Sequence, residues 1–487
     1  MTQGRWSLDQ ALRHSIEETW AVFTAAPDPA LLPARLSDLA RSHAFLWMRA
    51  GLSEQEHATR LVPAVQSISR SLVMACVAAD IVLGYSTLRE RAKWLPAMVK
   101  PRDWELQHQR SANRVLETAA SLGGALIKGC QFASARPDIL PAAYIRSLAS
   151  LQDRMPPRPW GDIEKAIASE LHRRPEDVFA EIQREPVAAA SIAQVHRARL
   201  KDGRAVAVKV QYPDVETLVA TDLAVLEQLV KVVARLSPSI DLRPILDYLK
   251  ETLPLELDFR REAEAMMSLR AALAHRSDVI VPAAFPELST ARLLVMEYIE
   301  GIKITDREAL ERAGISPHDV ALLLNYRYAD QMLHLGILHG DPHPGNLLVQ
   351  PGPRLVLLDH GLTVALAPSL VASLNKLVQA LIRGDFGGVR DALGEAGLRF
   401  EGEADIGTLL NLAGVLLGQA PDETGEDGDA AGAGMHFVKS LGGVPADLLM
   451  VGRALSLLDG ITKQLDPDMD IVELAACYTG MGGAEGS

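Results

Sequence analysis

Helical spacing dominates the pattern of apolar and polar positions, and strand-like stretches are few. Residues 1 to about 100 predict helices rich in Ala, Leu and Arg, punctuated by Pro27, Pro29 and Pro33. A further helix is expected from about Glu105 to Leu126. It leads into Lys128, Gly129, Cys130 and Gln131, and Pro137 and Pro141 end the segment. The pattern then changes. Two β-rich runs, Pro186 to Ala198 and Val206 to Val210, flank Lys201-Asp202-Gly203, and a DG dipeptide in that setting signals a hairpin. Ala188, Ala189, Ala190 and Ser191 head the first strand, and Lys209 lies inside the second. Helical spacing returns over Thr217 to Leu236 and Leu255 to Ala265. A strand is expected at Leu293 to Met296, a long helix over Ser316 to Leu335, and an apolar strand-like run after Asn346. Helices are expected to about Ala420 and again over Val444 to Gln464. Between them the acidic, Gly-rich stretch 420–434 reads as a disordered loop, and the final GMGGAEGS as a flexible tail.

Composition narrows the classes. A chain of 487 residues is too long for one small core, and 48% hydrophobic with 23% charged residues is ordinary for a globular protein. A net charge of −13 argues against general nucleic-acid binding, which needs a basic face. Cys76, Cys130 and Cys477 lie too far apart to form a metal-ligand pair, so a reducing cytoplasmic setting is expected. The best apolar run, Ser71 to Tyr85, is interrupted by Asp80 and closely preceded by Arg70, short of the roughly 20 clean residues that a span requires. Leu409 to Leu417 is shorter still, and the start, MTQGRWSLDQ, has no apolar signal core. The expectation is a soluble protein without a transmembrane segment, or one attached peripherally at the inner face of a membrane. Leu88 to Trp104 is basic and carries Trp94 and Trp104. Such a stretch suits either an anionic lipid surface or a solvated helix face with its tryptophans turned inward.

The candidate chemistry centres on His339 to Asn346, HGDPHPGN, with Leu358-Asp359-His360-Gly361 beyond it. Asn346 stands five positions after Asp341, and Asp359 thirteen after Asn346. This is the spacing of a phosphoryl-transfer loop, H-x-D-x-x-x-x-N followed by D-x-G. Asp341 would orient the attacking oxygen, and Asn346 with Asp359 would hold magnesium on the nucleotide phosphates. Asp, Pro, Gly and Asn also build ordinary tight turns, but three residues in register favour the catalytic reading. Upstream, V-A-V-K at Val206 to Lys209 follows a loop of small residues, Ala188 to Ser191, that would let a backbone approach phosphates. A lysine in a buried strand needs an anionic partner, and the stretch LELDFRREAEA offers Glu256 and Glu262. Read as one helix, it places the two on different faces. Glu297-Tyr298-Ile299, at the end of the expected strand, would meet adenine.

With these residues in view the chain resembles the UbiB, or AarF-like, atypical kinases. The resemblance runs from about Trp104 to Tyr478. It rests on a KxGQ-like element at Lys128 to Gln131, AAASIAQVH at Ala188 to His196, VAVKVQYP at Val206 to Pro213, ELDFRREA at Glu256 to Ala263, DPHPGN at Asp341 to Asn346 and LDPD at Leu465 to Asp468. It implies an α+β, protein-kinase-like, two-lobed fold, mostly helical, with a small antiparallel sheet in the N-lobe and a helical N-terminal extension. The expected divisions are 1–103 (N-terminal helices), 104–180 (extension packed on the lobes), 181–301 (N-lobe) and 302–480 (C-lobe). The resemblance assigns Lys209 to the α and β phosphates of ATP, Glu256 to the nucleotide-lobe helix and Asp341 to the catalytic base position. Asn346 and Asp359 would bind Mg2+. Ala188, Ala189, Ala190 and Ser191 would form an alanine-rich phosphate loop that disfavours ordinary protein-kinase activity. Lys128 and Gln131 would lie in an element folded over the site, with Glu262 contacting it. Implied partners are ATP and ADP, an isoprenoid lipid or quinone precursor and an anionic membrane surface, with no nucleic acid; a homodimer is left open. The implied activity is ATP hydrolysis or phosphorylation in ubiquinone or other isoprenoid-lipid metabolism.

Three residues depart from the family pattern: Cys130 for the glycine of KxGQ, His360 for the phenylalanine of D-F-G, and Gly340 where alanine is usual. A Cβ at Cys130 is expected to alter a turn after Lys128. His360 should change packing behind Asp359 and leave its carboxylate in place. Two alternatives remain: a small-molecule phosphotransferase like the aminoglycoside and choline kinases, which share HGD and the Asn five residues on, or a non-catalytic nucleotide- or lipid-binding pseudokinase.

Overall fold

The computed structural model describes residues 62–134, 140–149, 151, 157–236, 242–398 and 445–469. The acidic loop 420–434, residues 1–61, Leu409 to Leu417 and the tail therefore lie outside the described residues. The chain forms two compact units interleaved in sequence. One comprises Met1–Ile163, Ala188–Gln194 and Gln211–Pro254, and the other Glu164–Val187, Val195–Val210 and Leu255–Ser487.

The first unit is built on helices. Val62–Trp94 is followed by Pro101–Leu122, Ala125–Ser134 and Ala142–Ala149, and later by Val215–Leu236. The expected helix through Leu126 is broken by Gly123 and Gly124, whose φ of 69° and 63° suits glycine. Lys128 to Gln131 consequently sit within helix Ala125–Ser134. There Cys130 is buried among Ala112, Ala119, Ile127, Tyr144 and Leu148, and burial pushes its thiol pKa up to about 12. The expectation of an altered turn is corrected: a helical backbone accommodates a Cβ, and the sulfur joins the core. A buried Arg70–Asp222 pair, Nη2 to Oδ2 2.5 Å, ties helix Val62–Trp94 to Val215–Leu236. Arg70–Trp94 is 25 residues, long and apolar enough by length and composition to cross a membrane.

The second unit holds an antiparallel sheet in the order Phe179–Ile182, Ala193–Leu200, Ala205–Gln211, Leu293–Glu297. The Lys201-Asp202-Gly203 turn forms as expected, with Gly203 at φ 91°. Val206, Val208 and Val210 are fully buried, and Lys209 pairs in register with Leu294. Helix Arg243–Glu256 ends before Asp258, which caps helix Phe259–Ala272 by accepting the Arg260 N–H at 3.1 Å. Glu256 and Glu262 thus belong to two helices, not to two faces of one. Helix Pro317–Asp330 continues as a π-helical turn, Gln331–Leu335, and Gly336 at φ 64° releases the chain into strand Ile337–His339. That strand pairs with Thr363–Ala365 (Thr363 opposite His339), while Leu347–Gln350 pairs with Arg354–Leu357. The two candidate loops, 340–346 and 358–362, are therefore bracketed by strands of fixed register.

Candidate active site

Lys209 stands on the sheet with its ammonium inside the unit, its side chain 12% exposed. Its Nζ donates to both oxygens of Glu262, at 2.8 and 2.9 Å, and to Asp359 Oδ2 at 3.1 Å. Burial works against the charged lysine, but the Asp359 and Glu262 carboxylates outweigh it and hold its pKa above the usual lysine value. The strand lysine expected from V-A-V-K has its anionic partner. That partner is Glu262, and the assignment of Glu256 to this helix position is corrected. The Asp258 cap starts a new helix whose first turn carries Glu262 inward, whereas Glu256 ends the preceding helix.

Asp359 is held in a left-handed conformation, φ 56°, costly for a residue with a Cβ. Its own side chain stabilises the turn, because Oδ1 accepts the Gly361 N–H at 3.2 Å. Beneath it lies His339, fully buried. Its Nε2 faces the carbonyl oxygens of Leu358 and Asp359 at 3.0 and 2.9 Å, and Nδ1 lies 2.8 Å from the Tyr328 hydroxyl. Carbonyls only accept, so Nε2 carries the proton and Nδ1 accepts from Tyr328. His360, at the D-F-G phenylalanine position, is also fully buried. It donates from Nε2 to the Leu357 carbonyl at 3.1 Å, and its ring meets His339 edge-on, centroids 5.2 Å apart. Burial, then the neighbouring His339, pushes its pKa down to about 3, so it packs as a neutral ring. Beside this ring the Asp359 carboxylate accepts from Lys209.

The 340–346 loop is tied to the 358–362 loop by the Gly340 N–H donating to Leu362 O at 3.2 Å and the Leu358 N–H donating to Asn346 O at 2.8 Å. Asn346 Nδ2 donates to Asp341 Oδ2 at 3.2 Å, leaving the amide oxygen of Asn346 as the atom suited to a cation. The Asp359 carboxylate would likewise offer only oxygen, the donor class that suits Mg2+ and not a soft metal. Asp341 has a further partner that no sequence signal indicated: Arg453, on helix Ala446–Leu465, places Nη2 2.8 Å from Asp341 Oδ1. Gly340 is explained by crowding, since a Cβ there would lie 2.4 Å from Leu362 O and 2.6 Å from Met450 Cε.

The remaining expected residues fall into two groups. Glu297 Oε2 accepts the Ala283 N–H at 3.1 Å, the Tyr298 N–H donates to Ala205 O at 3.1 Å beneath the Arg197 guanidinium, and Ile299 is half-buried, all within the second unit. Ala188 to Ser191, Lys128 and Gln131 belong to the first unit. There the Tyr212 hydroxyl donates to Ala190 O at 3.0 Å, the Ala190 N–H bonds Ala193 O at 2.8 Å, and Ser191 is buried, giving a well-tied small-residue turn.

A family model described as the ABC1 atypical kinase-like domain matches residues 150–393. The chain belongs to the ABC1, or AarF-like, atypical kinase family. Among curated relatives of this ABC1-family chain, AarF domain-containing protein kinase 1 of Xenopus tropicalis is 38% identical over 288 residues, 58% of this chain and 55% of that protein. Its counterpart in Gallus gallus is 34% identical over 379 residues, 74% and 72% of the two chains. The chain thus spans about half the length of the Xenopus relative. A solved structure, titled as the complex of Rv3197 with erythromycin from Mycobacterium tuberculosis, superposes with a TM-score of 0.52 at 24% identity, covering 74% of this chain and 93% of that one. The fold is kinase-like, mostly helical, with a small antiparallel sheet and a helical N-terminal extension, as the ABC1 resemblance implied. The ABC1 match ends before helix Ala446–Leu465, so Arg453 lies beyond it.

Proposed function

We propose that this chain is an ATP-dependent phosphotransferase or ATPase of the atypical kinase type. The observation that carries the reading is the bonding of Lys209 to Glu262 and Asp359 together, which joins strand lysine, helix glutamate and D-x-G aspartate in one cluster. In this reading Lys209 binds the α and β phosphates and Glu262 fixes its ammonium. Asn346 and Asp359 would hold Mg2+, whose charge would offset that of the phosphates. Asp341 orients the acceptor oxygen and accepts its proton. Glu297 to Ile299 receive adenine.

The acceptor class we favour is an isoprenoid lipid or quinone precursor presented at an anionic membrane surface. Support comes from the exposed Trp94, Leu95, Met98 and Leu106, which lie close in sequence to Arg89, Arg91, Lys93, Lys100 and Arg102. The family match favours this over an aminoglycoside-type phosphotransferase. Steady-state ATP turnover with and without anionic liposomes, compared between wild type and Asp341→Asn, tests the reading. Turnover that depends on Asp341 is expected; magnesium-dependent ATP binding with no hydrolysis, unchanged by Asp341→Asn, would instead identify a pseudokinase.

A further inference from the structure

Between Asp341 and Asn346 the loop carries Pro342, His343, Pro344 and Gly345, so it supplies no lysine or arginine of its own. His343 Nδ1 accepts the Gly345 N–H at 3.0 Å within the loop. The positive charge at Asp341 arrives from 112 residues downstream, where Arg453 Nη2 meets Oδ1 at 2.8 Å with the two side chains 16% and 24% exposed. Packing fixes this placement. Asn325 Nδ2 donates to Thr462 Oγ1 at 2.8 Å in a buried contact, and His318 Nδ1 lies 2.6 Å from Asp466 Oδ2, both holding helix Ala446–Leu465 to helix Pro317–Asp330. One turn before Arg453, Met450 closes on Gly340, the residue next to Asp341. The arginine therefore enters the site on a helix anchored at both ends of the contact.

We propose that Arg453 is a positioning residue for phosphoryl transfer, an inference that rests on the reading of Asp341 as the catalytic carboxylate. Arg453 holds one oxygen of Asp341 and Asn346 holds the other, so the carboxylate keeps one orientation. Each oxygen retains a lone pair for the acceptor hydroxyl or water. As the acceptor oxygen bonds the γ-phosphorus, the bond from that phosphorus to the β-bridging oxygen breaks and ADP leaves. The acceptor's proton passes to Asp341, and Arg453 makes and breaks no bond. A helix outside the matched ABC1 domain thereby completes the site.

The test uses the full-length chain, with ATP turnover measured beside Mg-ATP affinity. Arg453→Ala should lower kcat roughly 10- to 100-fold, the range expected when a catalytic group is misplaced by about an ångström, and leave the Mg-ATP Kd within about 2-fold. Arg453→Lys should recover part of the loss. Combining Arg453→Ala with Asp341→Asn should be no worse than Asp341→Asn alone, because both act through one carboxylate. If Arg453→Ala does not fold, Arg453→Gln, which keeps most of the stem, gives the same comparison. Unchanged or increased kcat, or losses that multiply in the double variant, would overturn the role of Arg453 and leave the phosphotransfer reading standing. A wild type that binds Mg-ATP but shows no turnover would overturn that reading, and this proposal with it.

Discussion

His339 Nε2 lies 2.9 Å from the carbonyl oxygen of Asp359, so a fully buried imidazole supports the backbone of the strained aspartate from below. The same ring reaches the Leu358 carbonyl and receives the Tyr328 hydroxyl. The 340–346 loop and the D-x-G loop are thus one hydrogen-bonded unit. His339→Ala should remove these bonds and leave a cavity, costing about 2–4 kcal/mol of stability. Equilibrium denaturation would show this, and Mg-ATP affinity should weaken with it; a variant as stable as wild type would mean that the loops hold their shape independently.

Asp359 separates backbone cost from chemistry. Its φ of 56° favours glycine or asparagine over alanine, by roughly 1 kcal/mol. The lost ion pair to Lys209 contributes little on that side, because the Asp359 side chain is 46% exposed and Lys209 keeps Glu262. Asp359→Gly and Asp359→Asn should therefore melt within a few degrees of wild type, and Asp359→Ala lower. All three should lose the magnesium dependence of nucleotide binding. Normal metal dependence in Asp359→Asn would remove this carboxylate from the metal site.

The substitution of His360 for phenylalanine should appear as an acid sensitivity. Its folded pKa is about 3 and its ordinary value 6.5, so between those pH values the unfolded chain binds a proton that the folded chain does not. Its contribution is intact above about 6.5 and declines as pH falls toward 3, by about 1.4 kcal/mol per unit. His360→Phe should remove that slope, leaving the variant progressively more stable than wild type below pH 6. Parallel stability–pH curves for the two proteins would contradict the assignment of a buried neutral ring.

Gly340 is the third departure from the family pattern, and crowding accounts for it. Restoring the usual alanine should drive a Cβ into the Leu362 carbonyl and Met450, costing roughly 1–3 kcal/mol and displacing Asp341. Gly340→Ala combined with Met450→Ala should recover part of the melting temperature, and no recovery would place the clash on the backbone alone.

Much of this was legible in the sequence because the chemistry is local. Asp341, Asn346 and Asp359 lie within one stretch whose spacing predicts two adjoining loops, and the DG turn fixes which strand carries Lys209. Glu256 was assigned the helix position that Glu262 occupies, because reading Leu255 to Ala265 as one helix hid the Asp258 cap. Asp followed by Phe-Arg-Arg-Glu is a recognisable helix start, so that signal was present. The Gly123-Gly124 break, which puts Lys128 inside a helix, was available in the same way. Arg453 left no local trace. A cation that meets its carboxylate across 112 residues, on a helix whose own pattern is ordinary, becomes visible only through tertiary packing.

If Lys209, Glu262 and Asp359 form a nucleotide-phosphate site, calorimetric titration of ATP into wild type and Lys209→Ala, each with and without magnesium, should settle it. Magnesium-dependent binding to wild type and none to Lys209→Ala is expected, with folding of the variant verified by circular dichroism. Equal Mg-ATP affinity in the two proteins would contradict it.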